Sequence, residues 1–455
     1  MRLLAIFFVL ACSTTILSAL LSGTSFAGPA LVSDRSTGLL PMGANDRLRE
    51  QLEKNVLVQR AMTVFTARDL PGAMKLLQEA KASSSEIPAA EVVMSRWLFA
   101  TNKVPLASAT LEEHLSRFPD DLDGLLLLTE IAMQNRRWTE AILLLDQVDV
   151  ILNVSQAMKK NPASLIPLKI DVLRLRGDTA ANRRDWMTAT ECFKEILKLD
   201  SKKGFANWAL GRLELMNGDL DTALKQFETG RNLDPTLPQP QLTIAVALAS
   251  EAGRDKKEVE KWFQTALKVE GAEPSTWHEY AKWMLLEDRP EDVIRITEKL
   301  KPEWLSTRNS QFLKGLAYRY VGETSAAEDI FNKLHEESPE DIESADQLAL
   351  VLVENVDEAK RARAKQLSDA NIKLAPNAET VIASAAWIEF KLGSIDTADR
   401  ILGQLAASTS ISPQTAYYIS EVLAARGKPE EAKKVLESAG NAPGLWVQRR
   451  ASKTK

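Results

Sequence analysis

Residues 217–235, NGDLDTALKQFETGRNLDP, decide the fold, because the stretch that lies 34 residues earlier repeats their pattern. That earlier stretch, residues 183–201, reads RRDWMTATECFKEILKLDS. Both place an aspartate, a bulky residue, an alanine, a phenylalanine and a Leu-Asp pair at the same offsets. Self-similarity at a fixed period indicates a repeat architecture, so the same period has to be tested along the whole chain.

The alanine of the first stretch, Ala223, has ten counterparts, and we call all eleven the marker residues. The steps between successive markers are 34, 34, 48, 34, 36, 34, 34, 37, 34 and 34 residues, and nine of the eleven are alanine. A period of 34 therefore governs most of the chain. The markers are Ala73, Ala107, Ala141, Ala189, Ala223, Val259, Val293, Ala327, Ala364, Ala398 and Ala432.

The residues around each marker follow one pattern of size. Four residues after the marker the side chain is large and apolar in nine of eleven cases, and twelve residues before it the side chain is small in ten. A spacing of four puts the marker and its large neighbour on one helix face. The small residue belongs to the preceding helix, and two helices approach closely only where side chains are small. The pattern predicts helix hairpins packed one after another.

Turn and helix-end signals fall where this interpretation needs them. Glycine-containing segments at 217–219 and 392–394 separate the two helices of a hairpin. We expect about 22 antiparallel helices between residues 54 and 446, and no sheet. Prolines placed twelve residues after a marker should end the second helix in four hairpins, at Pro119, Pro235, Pro339 and Pro376.

This pattern resembles the tetratricopeptide repeat family from about residue 54 to residue 446. Residues 208–235 form a nearly complete repeat of that kind. The repeat around Val293 departs most, with Thr297 where a large residue belongs, and the ninth repeat departs with Leu352 and Ser368, so we expect poorer packing in both. The matches to the family signature in residues 208–235 are Leu210-Gly211, Gly218, Ala223, Phe227 and Pro235.

The resemblance implies an all-α, right-handed superhelical solenoid of about eleven helix hairpins. Its first helices would line a concave groove, and its second helices would face outward. Proteins of this family bind peptides or segments of partner proteins, and they usually act as scaffolds. Stacking of neighbouring repeats buries one continuous core, so the length of such an array is not limited by a single globule.

Residues 1–27 have the features of a signal peptide. Arg2 supplies the positive start, residues 3–21 are mostly apolar, and small residues at Ser25 and Ala27 favour cleavage after Ala27. The alternative is an uncleaved N-terminal anchor that associates the protein with a membrane, because the apolar stretch is almost long enough to span one. We expect an exported protein, periplasmic or secreted.

The remaining boundaries follow from the marker residues. The 48-residue step contains an insertion at residues 153–169, for which we expect a longer loop or an extended helix. The predicted organisation is a signal peptide at 1–27, a leader at 28–53, repeats one to three at 54–152, the insertion at 153–169, repeats four to eleven at 170–446 and a basic tail at 447–455.

Composition and motifs limit the possible functions. The net charge of −5 gives no basic field for nucleic acid. Cys192 is the single cysteine beyond the signal segment and lies in an apolar helical pattern, as a small buried residue would. The histidines His114, His278 and His335 lie in different repeats without a second metal ligand at suitable spacing. With no phosphate loop or nucleophile motif, the sequence predicts no cofactor, no metal and no enzyme activity.

The resemblance assigns inward-facing positions to each first helix, and here these positions hold aromatic rings and scattered cations. Ring faces offer contact area and arginine can bond carboxylates, which suits a protein or peptide partner. We expect no further layer to cover these rings, although packing against neighbouring repeats is the alternative role for any one of them. The lysines and asparagines of carboxylate-clamping family members are not reproduced. The candidate binding residues are Trp208, Arg212, His278, Phe312, Arg319, Trp387, Phe390 and Tyr417.

Two function hypotheses follow from the sequence. The first is an exported, non-catalytic scaffold that binds protein partners through its concave groove. The second is an accessory subunit or sensor of an envelope enzyme system, such as polysaccharide export or cell-wall synthesis. The second hypothesis rests on analogy with other exported repeat proteins.

Overall fold

The computed structural model describes residue 52 and residues 54–158, 165–251, 253–405 and 411–438. These residues form two compact units that divide between Pro240 and Gln241. Within the described ranges the structure is helical and contains no strand. The predicted all-α fold is therefore confirmed.

The described residues of the N-terminal unit form ten helices. They are α1 (Val56–Thr66), α2 (Leu70–Ser83), α3 (Ala90–Ala100), α4 (Val104–Arg117), α5 (Leu122–Gln134), α6 (Trp138–Met158), α7 (Ile166–Asn182), α8 (Trp186–Leu199), α9 (Gly204–Met216) and α10 (Leu220–Leu233).

Helix α11 (Pro240–Ala249) begins at the division, and the other helices of the C-terminal unit follow it. They are α12 (Lys256–Lys268), α13 (Pro274–Leu286), α14 (Pro290–Thr297), α15 (Pro302–Leu305), α16 (Arg308–Val321), α17 (Thr324–Glu337), α18 (Ile342–Leu352), α19 (Glu358–Leu374), α20 (Glu379–Lys391), α21 (Ile395–Leu402), α22 (Pro413–Ala425) and α23 (Pro429–Ser438).

Every marker residue is buried, and every one lies on the second helix of a consecutive pair. The packing between the paired helices leaves no room for larger side chains. A methyl group added to Gly211 on α9 would come within 2.8 Å of the Phe227 ring on α10, and one added to Gly315 on α16 would come within 2.8 Å of the Phe331 ring on α17. The small and large residues predicted from the spacing are thus direct neighbours.

The turn inside a hairpin has a fixed geometry. In nine of the eleven hairpins the residue five places before the marker has a positive φ, between 56° and 89°. This left-handed conformation reverses the chain within two or three residues. The residues concerned are Arg68, Asn102, Arg136, Arg184, Gly218, Asp288, Gly322, Gly393 and Gly427.

The two hairpins outside this rule are those with steps of 36 and 37 residues. Their turns are longer and occupy residues 250–255 and 353–357. The longer turn of the ninth hairpin adds residues between its two helices. The small residue that packs near the marker Ala364 therefore lies more than twelve residues before it. Leu352 is therefore not a mismatch in that repeat, and it is buried together with Ala349 one turn earlier.

The seventh repeat departs from the pattern because of a proline. Pro302 lies nine residues after the marker Val293, inside the expected second helix, where proline lacks the N–H and breaks the helix. Helix α14 accordingly ends at Thr297, and the four-residue helix α15 follows it and buries Trp304. This extra helix raises the count in the described residues to 23, against the 22 that were predicted.

The insertion begins as an extension of a helix. Helix α6 has 21 residues and runs to Met158, whereas the second helices α2 and α4 have 14 each. Residues 159–164 lie outside the described residues, as do the predicted signal peptide, the leader to residue 51 and residues 439–455, which include the predicted basic tail at 447–455. No helix among the described residues is long and apolar enough to cross a membrane.

The contact between α9 and α10 generates a stability prediction. Ala223→Leu adds bulk where α10 meets α9, and we expect it to lower the free energy of unfolding by roughly 1–3 kcal/mol. Because repeats contact mainly their neighbours, faster hydrogen exchange should begin within residues 204–233. Lys225→Leu on the exposed face of α10 is the matched control. Unchanged exchange in α9 and α10 of the Ala223→Leu protein would contradict this packing.

Candidate functional site

The structure brings together only some of the predicted binding residues. Phe312, Phe390 and Tyr417 are half-buried and pack against one hydrophobic core of the C-terminal unit, of which Trp387 is a member. They lie on the first helices α16, α20 and α22. Trp208 and Arg212 belong to the N-terminal unit. The candidate surface of the C-terminal unit is therefore the face formed by α16, α18, α20 and α22, which we call the first-helix face.

Four rings form an aromatic cluster on this face. Trp387 stacks on Tyr418 with ring centroids 4.6 Å apart, and it contacts Tyr417 at 5.6 Å and Phe390 at 5.4 Å. Only 7% of Trp387 is exposed. The expectation that no layer covers the inward rings is wrong for Trp387, because its neighbours in α20 and α22 cover it. Its indole is placed to hold the outer rings in position.

Charged groups border the same indole. Its N–H donates to Glu354 Oε1 at 3.3 Å, and Lys391 Nζ lies 5.2 Å from the ring centroid. Lys391 also pairs with Glu354 at 2.7 Å. Trp387 is therefore held at its polar end as well as by its ring contacts, and Lys391 and Glu354 stand beside the aromatic cluster.

Arg319 links three of the four first helices. Its guanidinium donates from α16 to Gln347 Oε1 on α18 at 2.7 Å and to the Tyr418 hydroxyl on α22 at 3.1 Å. Gln414 donates to the same hydroxyl at 2.8 Å. Burial raises the pKa of Tyr418 to about 12, so its hydroxyl stays protonated. The arginine predicted as a binding residue is thus also a cross-link between repeats.

The carboxyl group of Asp346 is buried and lies near enough to Arg319 to be affected by its charge. Asp346 on α18 accepts a hydrogen bond of 2.8 Å from the Ser384 hydroxyl on α20. Burial raises the pKa of Asp346 to about 7, against the lowering effects of the Ser384 bond and of Arg319; Glu343 adds to the rise. The group that joins the ninth and tenth repeats therefore titrates near neutral pH.

His278 occupies a separate position on α13. Its Nε2 lies 2.9 Å from Ser310 Oγ and 3.2 Å from Thr307 Oγ1. Burial and the charge of Lys282 lower the pKa of His278 to about 4, so the ring is neutral at physiological pH. Ser310 is fully buried, which gives a substrate no access to its hydroxyl. This serine–histidine pair joins two repeats and does not present a nucleophile.

In the N-terminal unit, the two predicted residues have different surroundings. Trp208 lies 4.4 Å from the ring of Phe227, centroid to centroid, and is half-buried, while Arg212 is exposed. Arg212 also lies near enough to Asp178 to lower its pKa, although burial outweighs this and the pKa of Asp178 is raised.

Sequence reasoning missed a set of charges on the first helices of this unit. Glu130 on α5 lies 3.5 Å from Arg96 on α3 and 3.4 Å from Arg174 on α7, and Arg174 lies 3.6 Å from Asp178. The spacing contained a usable signal, because Arg96, Glu130, Asp178 and Arg212 each stand eleven residues before a marker. The two ion pairs of Glu130 tie neighbouring repeats together along one face, whereas the pair of Arg174 with Asp178 lies within α7.

Metal binding has no support among the described residues. No group of three or more His, Cys, Asp or Glu side chains in them is arranged to hold a metal ion. Cys192 is buried, and burial raises the pKa of its thiol, which keeps it protonated.

The sequence model of the tetratricopeptide repeat family matches residues 174–238. That range contains the α9–α10 hairpin with its Gly211–Phe227 contact. Residues 174–238 are thus similar to tetratricopeptide repeats. Such repeats generally form scaffolds that bind other proteins, and the helix hairpins described above are of this type.

Comparison with known proteins gives distant relatives. Over 193 residues this protein is 26% identical to cellulose synthase operon protein C from Pseudomonas fluorescens SBW25, a match that covers 42% of this chain and 14% of that protein. A tetratricopeptide repeat protein from Parabacteroides merdae is 13% identical with a TM-score of 0.35, covering 63% of this chain and 97% of that one. Yeast Tom70 is 14% identical with a TM-score of 0.34, covering 89% and 96%.

The buried carboxyl of Asp346 generates a prediction on pH. The unfolded chain ionises Asp346 near pH 4, whereas the folded chain keeps the proton to about pH 7, so stability falls as pH rises through this window. Asp346→Asn should remove that part of the fall, and its stability relative to the parent should increase between pH 5 and pH 8. Urea unfolding at several pH values measures the difference, with Asp329→Asn on the exposed face of α17 as control. A pH-independent difference would disprove the assignment.

Proposed function

We propose that this chain is an exported, non-catalytic scaffold that binds a partner protein through the first-helix face of its C-terminal unit. The observation that carries the proposal is the arrangement of half-buried rings, Phe312, Phe390 and Tyr417, around a core that fixes them. Aromatic and arginine side chains supply most of the binding energy in many protein interfaces. The partner is a protein segment that can lay apolar side chains against these rings.

Preorganisation of the rings supports this proposal. Trp387 holds Phe390 and Tyr417 through ring contacts, and Arg319 fixes the neighbouring helices through Gln347 and Tyr418. A side chain that is already ordered loses less conformational entropy on binding, which raises affinity. The half-buried rings at the edge of the aromatic cluster therefore suit direct contact, and Trp387 acts as a positioning residue.

This division of roles is testable with two substitutions. Tyr417→Ala should weaken partner binding by about tenfold or more, as removal of an interface aromatic commonly does, with little change in the unfolding midpoint. Trp387→Ala should lower the midpoint itself, because it empties a buried site. Partner recovered from an extract by immobilised protein is quantified by mass spectrometry, and exposed Lys333→Ala on α17 is the control. Full binding by the Tyr417→Ala protein would place the partner elsewhere.

A second candidate function is an accessory subunit of an envelope polysaccharide system. The observation that favours it is the 26% identity to cellulose synthase operon protein C. The experiment is deletion of the gene, followed by measurement of exported polysaccharide and by complementation with the parent or with Tyr417→Ala. Restoration by the parent alone would support both the process and the binding face. Unchanged polysaccharide after deletion would reject this second candidate.

Export is a separate part of the proposal. The support for it is the sequence of residues 1–27, with cleavage after Ala27. We expect protein from the source cells to begin at Gly28 and to be found outside the cytoplasm, as shown by N-terminal sequencing of fractionated cells. Ala27→Asp should block cleavage, since the peptidase accepts small residues at this position. Cytoplasmic protein that retains Met1 would contradict export.

A further inference from the structure

A cleft of about 830 Å³ lies among helix ends in the N-terminal unit. The end of α2, the first turn of α3, the end of α4 and residues 118–121 line it. Its volume is within the range of pockets that bury a molecule the size of a short peptide segment. The predicted binding residues lie on other helices, so this cleft is separate from the first-helix face proposed above.

Apolar side chains form part of the wall of this cleft. Phe118 is 56% exposed, and the neighbouring wall includes the exposed residues Pro119 and Ala82 and the half-buried Ala89. The ring of Phe118 lies 5.2 Å from the ring of buried His114, centroid to centroid, so one contact already fixes it. More than half of Phe118 is left for a further contact. Burial of this surface by an apolar segment would be favourable.

The chain enters the N-terminal unit next to this cleft. Leu52 is 4% exposed and belongs to the same hydrophobic core as Ala90, which lines the cleft, and Ala89 packs against that core. Consecutive helices joined by short turns run antiparallel, so α1 begins at the end of the unit where α2 ends and α3 begins. The predicted leader, residues 28–51, is therefore connected to the end of the unit at which the cleft lies.

One stretch of the leader has a composition that suits this wall. Residues 36–45, STGLLPMGAN, carry no charge and contain the apolar run Leu39-Leu40-Pro41-Met42. The chain from Met42 to Leu52 spans up to about 33 Å when extended, which is enough to reach a cleft beside the core that holds Leu52. Carboxylates and cations in the cleft lining nearly balance in number, so an uncharged segment fits it better than a strongly charged one.

We propose that residues 39–42 of the leader occupy this cleft in the same molecule, with their apolar side chains against Phe118 and the alanines of α2 and α3. A segment tethered this closely has a high effective concentration at the cleft, so a weak contact is enough to keep it bound. The bound leader closes the cleft to partner proteins. This inference does not depend on the binding role of the first-helix face.

The experiment uses the chain as the source cells process it, with ¹³C in the methionine methyl groups. The ten methionines of the sequence give few signals, and Met42→Leu identifies the signal of Met42. The reference is the free peptide acetyl-STGLLPMGAN-amide. In the full chain the Met42 signal should be displaced from its position in the peptide, because an aromatic ring shifts the resonance of a methyl group packed against it. Phe118→Ala should return the signal to the peptide position.

Two further variants separate docking from other causes of a shift. Leu40→Ser, which leaves the ring of Phe118 in place, should also return the Met42 signal toward the peptide position, whereas Leu374→Ala, at an exposed site on α19, should leave it displaced. A Met42 signal at the peptide position in the parent chain, or an equal displacement in the Phe118→Ala protein, would overturn the proposal. A displacement that disappears on dilution would assign the contact to a second copy and would overturn it as well.

Discussion

The close approach of two helices at a small residue is the interaction on which this structure depends. Gly177, Gly211 and Gly315 each stand where an added methyl group would lie within 3 Å of a phenylalanine ring on the partner helix. At that distance the ring covers the backbone of the opposite helix and excludes water from the hairpin. The hairpin becomes one compact unit with an apolar flank, and that flank is what the next hairpin covers. The constant spacing between the small residue and the ring within a hairpin is therefore a consequence of this contact.

The turn geometry shows how strongly the close approach constrains the chain. Five non-glycine residues, among them Arg68 and Arg136, take left-handed φ values in the hairpin turns. Such a conformation costs an L-residue about 1–2 kcal/mol. It persists because the packed helices on either side fix the direction of the chain, so the strain is small beside the burial that it permits. Glycine at the same place, as at Gly218, satisfies the turn without strain.

The sequence predicted the features that depend on spacing within one repeat. The marker residues, the small and large neighbours, and the helix ends two residues before Pro119 and Pro235 were all readable, because local steric rules determine them. The extra helix α15 was missed, although Pro302 inside an expected helix was a visible signal. The steps on both sides of Val293 are still 34 residues, and this regular spacing favoured an ordinary hairpin despite the proline. Repeats of equal length can therefore differ in their helices.

The residues of the first-helix face were less predictable, because their surroundings come from several repeats. The hydrogen bond from Arg319 to Tyr418 joins residues 99 positions apart. Nothing in the repeat containing Trp387 shows that Tyr418, in the next one, will stack on it. A spacing rule can place a ring on the inward side of a helix, but it cannot say whether a neighbouring side chain covers that ring.

The polar groups next to the aromatic cluster explain how the first-helix face keeps a fixed arrangement. Apolar contacts between repeats tolerate small rotations, since dispersion is not directional. The bonds of Arg319 and of Asp346 to Ser384 are directional and link α16, α18, α20 and α22 at set positions. Burying such groups stabilises little, because desolvation offsets the attraction. Their effect is to select one relative placement of the four helices, and the positions of Phe390 and Tyr417 follow from that placement.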